Sequence, residues 1–248
     1  MKKRRLFSLF LSFALLLPLF SLTSADAYED FTLDAKAGLL IEADTGEILY
    51  EKNAHQENFP ASLTKVMVAL LVFEAIDEGK IALTDSVTAT ESAFEGLSSD
   101  GSTANIVPGE TMTVEQLLNC MLIVSANEAC NILGETLYGS VDAFVARMNE
   151  RAAELGCEHT HFANATGLHN SQHYTTAWDL YLITREALKH DKFMEICNSK
   201  SYTVPATNMT DKPRELHSTN FLISNWRARG YVYRDAQGIK TGSTPEAG

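Results

Sequence analysis

Phe59-Pro60-Ala61-Ser62-Leu63-Thr64-Lys65-Val66-Met67-Val68-Ala69-Leu70-Leu71-Val72-Phe73 is the stretch from which the rest of the chain can be read. Pro60 disfavours helix at the residue before it, so the helix opens at Ser62, and the spacing carries it to about Glu78, where Gly79 can stop it. Val66, Met67, Ala69, Leu70, Leu71, Val72 and Phe73 cover nearly every face of that helix, which predicts burial at the domain centre. Ser62 and Lys65 stand three residues apart at its start, so their side chains are neighbours on one face. A hydroxyl is a poor nucleophile near neutral pH, but an amine beside it can take its proton if the amine is itself unprotonated. Burial lowers a lysine pKa, and a second cation nearby lowers it further. A snorkelling surface lysine is the plain alternative, and the apolar neighbours of Lys65 on every side argue against it.

Working outward, strands are expected at both ends of the chain and helices between them. Leu39–Ala43 and Glu47–Tyr50 flank the turn Asp44-Thr45-Gly46 as a hairpin. Residues 84–112, rich in Ser, Thr, Gly and acids, read as irregular surface chain. Thr113 with Gln116 forms a capping box ahead of Leu117, Leu118, Met121, Leu122 and Ile123. That helix ends near Ser125 and another runs from about Asn127 to Tyr138. Further helices are expected over Ser140 to Leu155, stopped by Gly156, and over Thr176 to Lys189. From Tyr202 onward the pair Tyr202, Val204 and the run Tyr231, Val232, Tyr233 signal strands around a loop. This order predicts an α+β fold, a mostly antiparallel sheet flanked by helices, with a helical sub-domain between the N- and C-terminal strands.

Two more motifs follow the first. Ser125-Ala126-Asn127 alternates across a short break between helices, so that both side chains can enter one cleft. Ser125 could relay a proton to a leaving amine, and the Asn127 amide offers a donor and an acceptor to a substrate peptide group. Lys240-Thr241-Gly242 reads as an edge strand running into the turn Ser243-Thr244-Pro245. Gly242 leaves room for another backbone there, and a peptide could add to the edge. Lys240 is the candidate second cation, and with the Thr241 hydroxyl it could hold a carboxylate.

Composition narrows the setting. Met1-Lys2-Lys3-Arg4-Arg5, the apolar run Leu6 to Leu22 and Ala25-Asp26-Ala27 read as an export leader cleaved after Ala27, an uncleaved anchor being the alternative. Cleavage leaves 221 residues and removes four basic residues and one acidic one, taking the formal charge from −12 to −15. So acidic a chain argues against nucleic acid or anionic lipid as partner. Cys120, Cys130, Cys157 and Cys197 lack disulfide or metal spacing and read as buried free thiols. His159-Thr160-His161 lacks a third ligand, so no metal is expected.

SxxK, SxN and KTG in this order serve acyl transfer in penicillin-binding proteins and class A β-lactamases. The chain resembles the penicilloyl-serine transferases, and within them the low-molecular-weight penicillin-binding proteins that are serine D-Ala-D-Ala carboxypeptidases. The likeness extends to Pro60–Lys65, Pro108–Glu110, Ile123–Ala129, Asn164–Leu168, His173–Ala177 and Gly238–Gly242. It implies a β-lactamase/DD-peptidase-like fold over residues 28–248. It also implies Ser62 as nucleophile, Lys65 as base, Ser125 as relay, and Asn127, Lys240, Thr241 and Gly242 as substrate-binding residues. The Ser243 and Ser62 backbone N–H groups would form the oxyanion hole. The implied partners are a peptidoglycan stem peptide ending in D-Ala-D-Ala and β-lactam antibiotics, met outside the cytoplasm, and no organic cofactor is implied. A class A β-lactamase, a non-catalytic penicillin-binding sensor domain and a DD-endopeptidase are the rival readings. Glu115-Gln116-Leu117-Leu118-Asn119 mimics the β-lactamase E-x-x-L-N segment but precedes Ser125, and reads as coincidence. Gly242 lies close to the last residue, so a truncated record is expected, with any membrane association residing in a missing C-terminal segment.

Overall fold

The computed structural model describes residues 33–247. The chain divides into Met1–Ala35 and Lys36–Gly248, and the architecture below is that of the second unit. The expected leader, residues 1–27, lies outside the described residues.

The hairpin forms as expected, with β1 (Gly38–Ile41) antiparallel to β2 (Ile48–Lys52) and a bulge between Leu40 and Ile41. A 3-10 turn, Ala61–Thr64, then leads into α1 (Lys65–Asp77), which Gly79 terminates at φ 71°. Every residue of α1 from Lys65 to Phe73 is buried, so the helix forms the axis of the core. At roughly 1.5–3 kcal/mol for each large apolar side chain removed from water, this one helix supplies a large share of the folding drive.

The capping box opens α2 (Val114–Ile123): Gln116 N–H donates to Thr113 Oγ1 at 3.2 Å, and Thr113 N–H donates to Gln116 Oε1 at 2.9 Å. After a short break come α3 (Asn127–Tyr138) and α4 (Val141–Glu154), the latter capped by Ser140. Then follow α5 (Ala177–Ala187), capped by Thr176, and α6 (Asp191–Cys197). α1 packs against α3 and α5, and α3 against α4. Gly134 makes that last contact possible, because a Cβ there would stand 2.2 Å from a ring carbon of buried Phe144.

Three expectations need correction. Residues 84–112 are not wholly irregular surface: β3 (Ser86–Thr88) pairs with β4 (Thr111–Thr113), and Val87, Ala89, Ala93, Ala104, Ile106 and Met112 are buried. A strand of three residues turns only one side chain inward, so it leaves no alternation to read. The partner of β5 (Ser201–Val204) is β6 (Arg214–His217), not Tyr231–Tyr233. Tyr231, Val232 and Tyr233 are all exposed, with Tyr233 N–H on Leu222 O at 2.9 Å as their tie to the fold. The antiparallel sheet is divided into three two-stranded pairs among the described residues, and Lys240–Gly242 joins none of them. A strand needs a ladder partner, and side chains hold this segment instead: Asn198 Oδ1 accepts from Gly238 N–H at 2.6 Å, and Asn220 Nδ2 donates to Gly238 O at 2.5 Å. The four cysteines are buried and free.

Candidate active site

The turn Ala61–Thr64 delivers Ser62 and Lys65 to the same face of the core helix. Lys65 is fully buried, and its Nζ meets three oxygens: Ser62 Oγ at 3.0 Å, Asn127 Oδ1 at 2.8 Å and Thr166 O at 2.6 Å. Burial lowers its pKa, while Cys130 and the Glu128 carboxylate pull it back up. Glu128 is itself committed, since its Oε1 accepts from Thr103 Oγ1 and Ala104 N–H, both at 2.7 Å. It thereby seats residues 103–104 over the start of α3.

The break between α2 and α3 turns Ser125 and Asn127 inward. Ser125 sits at φ +67°, a left-handed conformation that costs a non-glycine residue about 1–3 kcal/mol. Ala126 N–H on Cys120 O at 3.1 Å and Asn127 N–H on Ser102 O at 2.9 Å hold it there. Both side chains are buried, as a break in a helical run must be if it is to line a cleft rather than a surface loop.

Lys240 donates to Ser125 Oγ at 3.0 Å and to Thr241 O at 2.8 Å. Its pKa is pushed down to about 7, first by burial and then by the charge of Lys65. Thr241 Oγ1 lies 2.7 Å from Thr219 Oγ1. Gly242 faces the nucleophile's own turn: a Cβ there would stand 3.0 Å from Pro60 O and 3.2 Å from Leu63 N. Ser243 follows directly and is exposed.

The three motifs thus converge. Ser62, Lys65 and Asn127 share one cluster, Ser125 and Lys240 a second, and Gly242 stands against the Pro60–Leu63 turn that carries Ser62. Thr166, Thr219, Glu128 and His173 were not singled out by role. Thr166 acts through a backbone carbonyl, which every residue type carries, so only the turn around it could have signalled it. Asn164 Oδ1 builds that turn, accepting from Thr166 N–H at 3.1 Å and Gly167 N–H at 2.8 Å. Glu115 is paired with Lys192 at 2.6 Å and belongs to the far end of α2. Among the described residues no three His, Cys, Asp or Glu side chains gather as a metal site.

The family model described as D-alanyl-D-alanine carboxypeptidase, Peptidase S11, matches residues 23–248. The chain belongs to this family. Among curated relatives, the Bacillus subtilis D-alanyl-D-alanine carboxypeptidase DacF is 40% identical over 86% of this chain and 52% of its own length. The Escherichia coli D-alanyl-D-alanine carboxypeptidase DacA is 33% identical over 87% of this chain and 51% of its own. The chain therefore spans about half the length of these curated relatives. The crystal structure of the Streptomyces K15 DD-transpeptidase superposes with a TM-score of 0.77 at 30% identity, covering 88% of this chain and 84% of that one. Divided sheets and the helical sub-domain belong to a DD-peptidase fold of the penicilloyl-serine transferase type.

Proposed function

We propose that the protein is a serine D-Ala-D-Ala carboxypeptidase that removes the terminal D-alanine of a peptidoglycan pentapeptide and is acylated by β-lactams. The observation that carries this reading is the oxygen set around Lys65 Nζ. A neutral amine has two N–H donors and one lone pair. Asn127 Oδ1 and Thr166 O can only accept, so they take both donors, and the lone pair is left facing Ser62 Oγ–H. Ser62 then loses its proton to Lys65 as its oxygen attacks the carbonyl between the two D-alanines. The Ser62 and Ser243 backbone N–H groups are assigned the oxyanion, and Ser125 the transfer of a proton to the departing D-alanine. Water hydrolyses the acyl-enzyme by the same route.

The substrate carboxylate is assigned to Lys240 and Thr241. An arriving carboxylate favours the charged form of Lys240, which burial otherwise disfavours. The pentapeptide places the enzyme outside the cytoplasm, in keeping with residues 1–27 as a leader and 28–248 as the peptidase domain. Release of D-alanine from a soluble peptide ending in Lys-D-Ala-D-Ala tests the reading. The wild type is expected to turn it over, Ser62→Ala and Lys65→Ala to lose at least about a thousandfold in kcat/KM. A Lys65→Ala variant with wild-type kcat/KM would remove Lys65 as the base.

A further inference from the structure

His173 is buried, carries no role in the chemistry above, and has both ring nitrogens engaged. Ala163 N–H donates to its Nδ1 at 3.0 Å, so Nδ1 carries no proton and Nε2 does. Nε2 lies 2.7 Å from Thr64 Oγ1 and donates to it. Thr64, buried as well, spends its own proton on Ala61 O at 2.8 Å. Every donor and acceptor in the series Ala163, His173, Thr64, Ala61 therefore has one direction only. A threonine hydroxyl bonding back to a carbonyl three residues earlier is common in helical turns, but here the histidine removes its freedom to rotate away.

The end of that series is the peptide that links Ala61 to Ser62. A trans peptide is planar with C=O and N–H pointing opposite ways, so holding Ala61 O toward Thr64 aims the Ser62 N–H in the other direction. A second contact braces the same peptide. Gly167 packs so closely that a Cβ on it would stand 1.9 Å from Ala61 O and 2.9 Å from Ser62 N. Ala61 sits at φ +48°, a conformation that alanine does not choose unaided.

We propose that His173 is a positioning residue for acyl transfer: through Thr64 and Ala61 it fixes the direction of the Ser62 backbone N–H that receives the oxyanion. This rests on the acyl-transfer reading of Ser62. Burial, then the neighbouring His161 and Lys65, hold the His173 pKa down at about 4, so the ring stays in the one neutral tautomer the series needs at any working pH. A donor that meets charge only in the tetrahedral state affects the acylation step and not the initial binding.

The test is stopped-flow acylation of the complete protein by benzylpenicillin, resolving the noncovalent affinity from the acylation rate constant. Four variants are compared with wild type: His173→Leu, His173→Gln, Thr64→Val and Thr64→Ser, each with its melting curve. His173→Leu and Thr64→Val are expected to slow acylation about 10- to 100-fold, short of the 100- to 1,000-fold that loss of an oxyanion donor costs. Their noncovalent affinity is expected to stay within about threefold. His173→Gln keeps an N–H donor toward Thr64 and Thr64→Ser keeps the hydroxyl, so both are expected to recover most of the rate. Normal acylation in a folded His173→Leu or Thr64→Val overturns the proposal. A rate loss that follows only the drop in melting temperature, with no recovery in the conservative variants, also overturns it. If wild type itself forms no adduct on Ser62, it is the acyl-transfer reading that falls.

Discussion

A fully buried lysine, Lys65, and a half-buried one, Lys240, meet in one cleft, and their opposed demands set the pH behaviour. Lys65 must be neutral to act as base, and its pKa lies below the ordinary lysine value because of burial. Lys240 must be charged to hold a carboxylate, and its pKa is pushed down to about 7. Deprotonation of Lys65 favours the base and so acts to raise kcat/KM with pH, whereas activity on carboxylate substrates is expected to fall as pH passes above about 7, where Lys240 loses its proton. A pH profile measured with the soluble peptide checks this; a flat profile from 7 to 10 would contradict it. The stability sign is separate. Between about 7 and the ordinary lysine value of 10.5 the unfolded chain holds a proton on Lys240 that the folded one has lost, so stability rises with pH across that window. At this scale the sequence was informative. Ser62, Lys65, Ser125, Asn127 and Lys240 could be singled out because the chemistry proposed for them lies in their side chains, and hydrogen bonds join Ser62 and Asn127 to Lys65 and Ser125 to Lys240. Thr166 meets Lys65 through its backbone carbonyl, and the role proposed for the 61–62 peptide is likewise one of backbone, so neither leaves a residue-type signal.

Among the elements, the break between α2 and α3 carries two of the residues on which the proposed chemistry rests, Ser125 and Asn127. Ser125 is held at φ +67° between two helices that would otherwise run on, and packing on both sides holds it there. Glycine adopts that conformation freely. Ser125→Gly is therefore expected to stabilise the fold by about 1 kcal/mol while lowering acylation, because it relieves strain and deletes the hydroxyl that Lys240 touches. Urea denaturation beside adduct kinetics checks the pair of effects, and a destabilised variant would contradict the strain argument. Helices α1 to α5 were legible because caps and stops are local: Thr113 with Gln116, Ser140, Thr176, Gly79 and Gly156 all stand where helices begin or end, whereas α6 has no side-chain cap and was not read. The short strands were not. β3 and β6 each bury one apolar residue, Val87 and Leu216, and these pair with Met112 and Tyr202, 25 and 14 residues away along the chain. Tyr231–Tyr233 has the alternating pattern but no ladder to join.

For the molecule as a whole, the region before α2 is tied to the C-terminal hairpin by one buried charge pair. Arg214 on β6 bonds the Glu110 carboxylate and also donates to Ala104 O and Asn105 O, both at 3.1 Å. The Glu110 side chain is 1% exposed and accepts a further bond from Thr207 Oγ1 at 2.7 Å. Removing the arginine leaves an uncompensated buried carboxylate, so Arg214→Ala is expected to cost roughly 3–5 kcal/mol, a large fraction of a domain's stability. The loss should be evident as a lowered denaturation midpoint; a change below about 1 kcal/mol would mean that water already solvates the pair. Residues 103–107 also cover Glu128 and the start of α3, so the same variant is expected to weaken acylation. This long-range tie was invisible in the sequence, where Glu110 belongs to a familiar Pro-Gly-Glu turn and Arg214 to no motif at all.

The central claim is that the three motifs form one acyl-transfer site on Ser62. Time-resolved intact-mass spectrometry with benzylpenicillin, wild type beside Ser62→Ala, tests it most directly. The account predicts a penicilloyl adduct on wild type that is absent from the variant and outlasts any β-lactamase turnover. No adduct on wild type, or an equal adduct on Ser62→Ala, would contradict it.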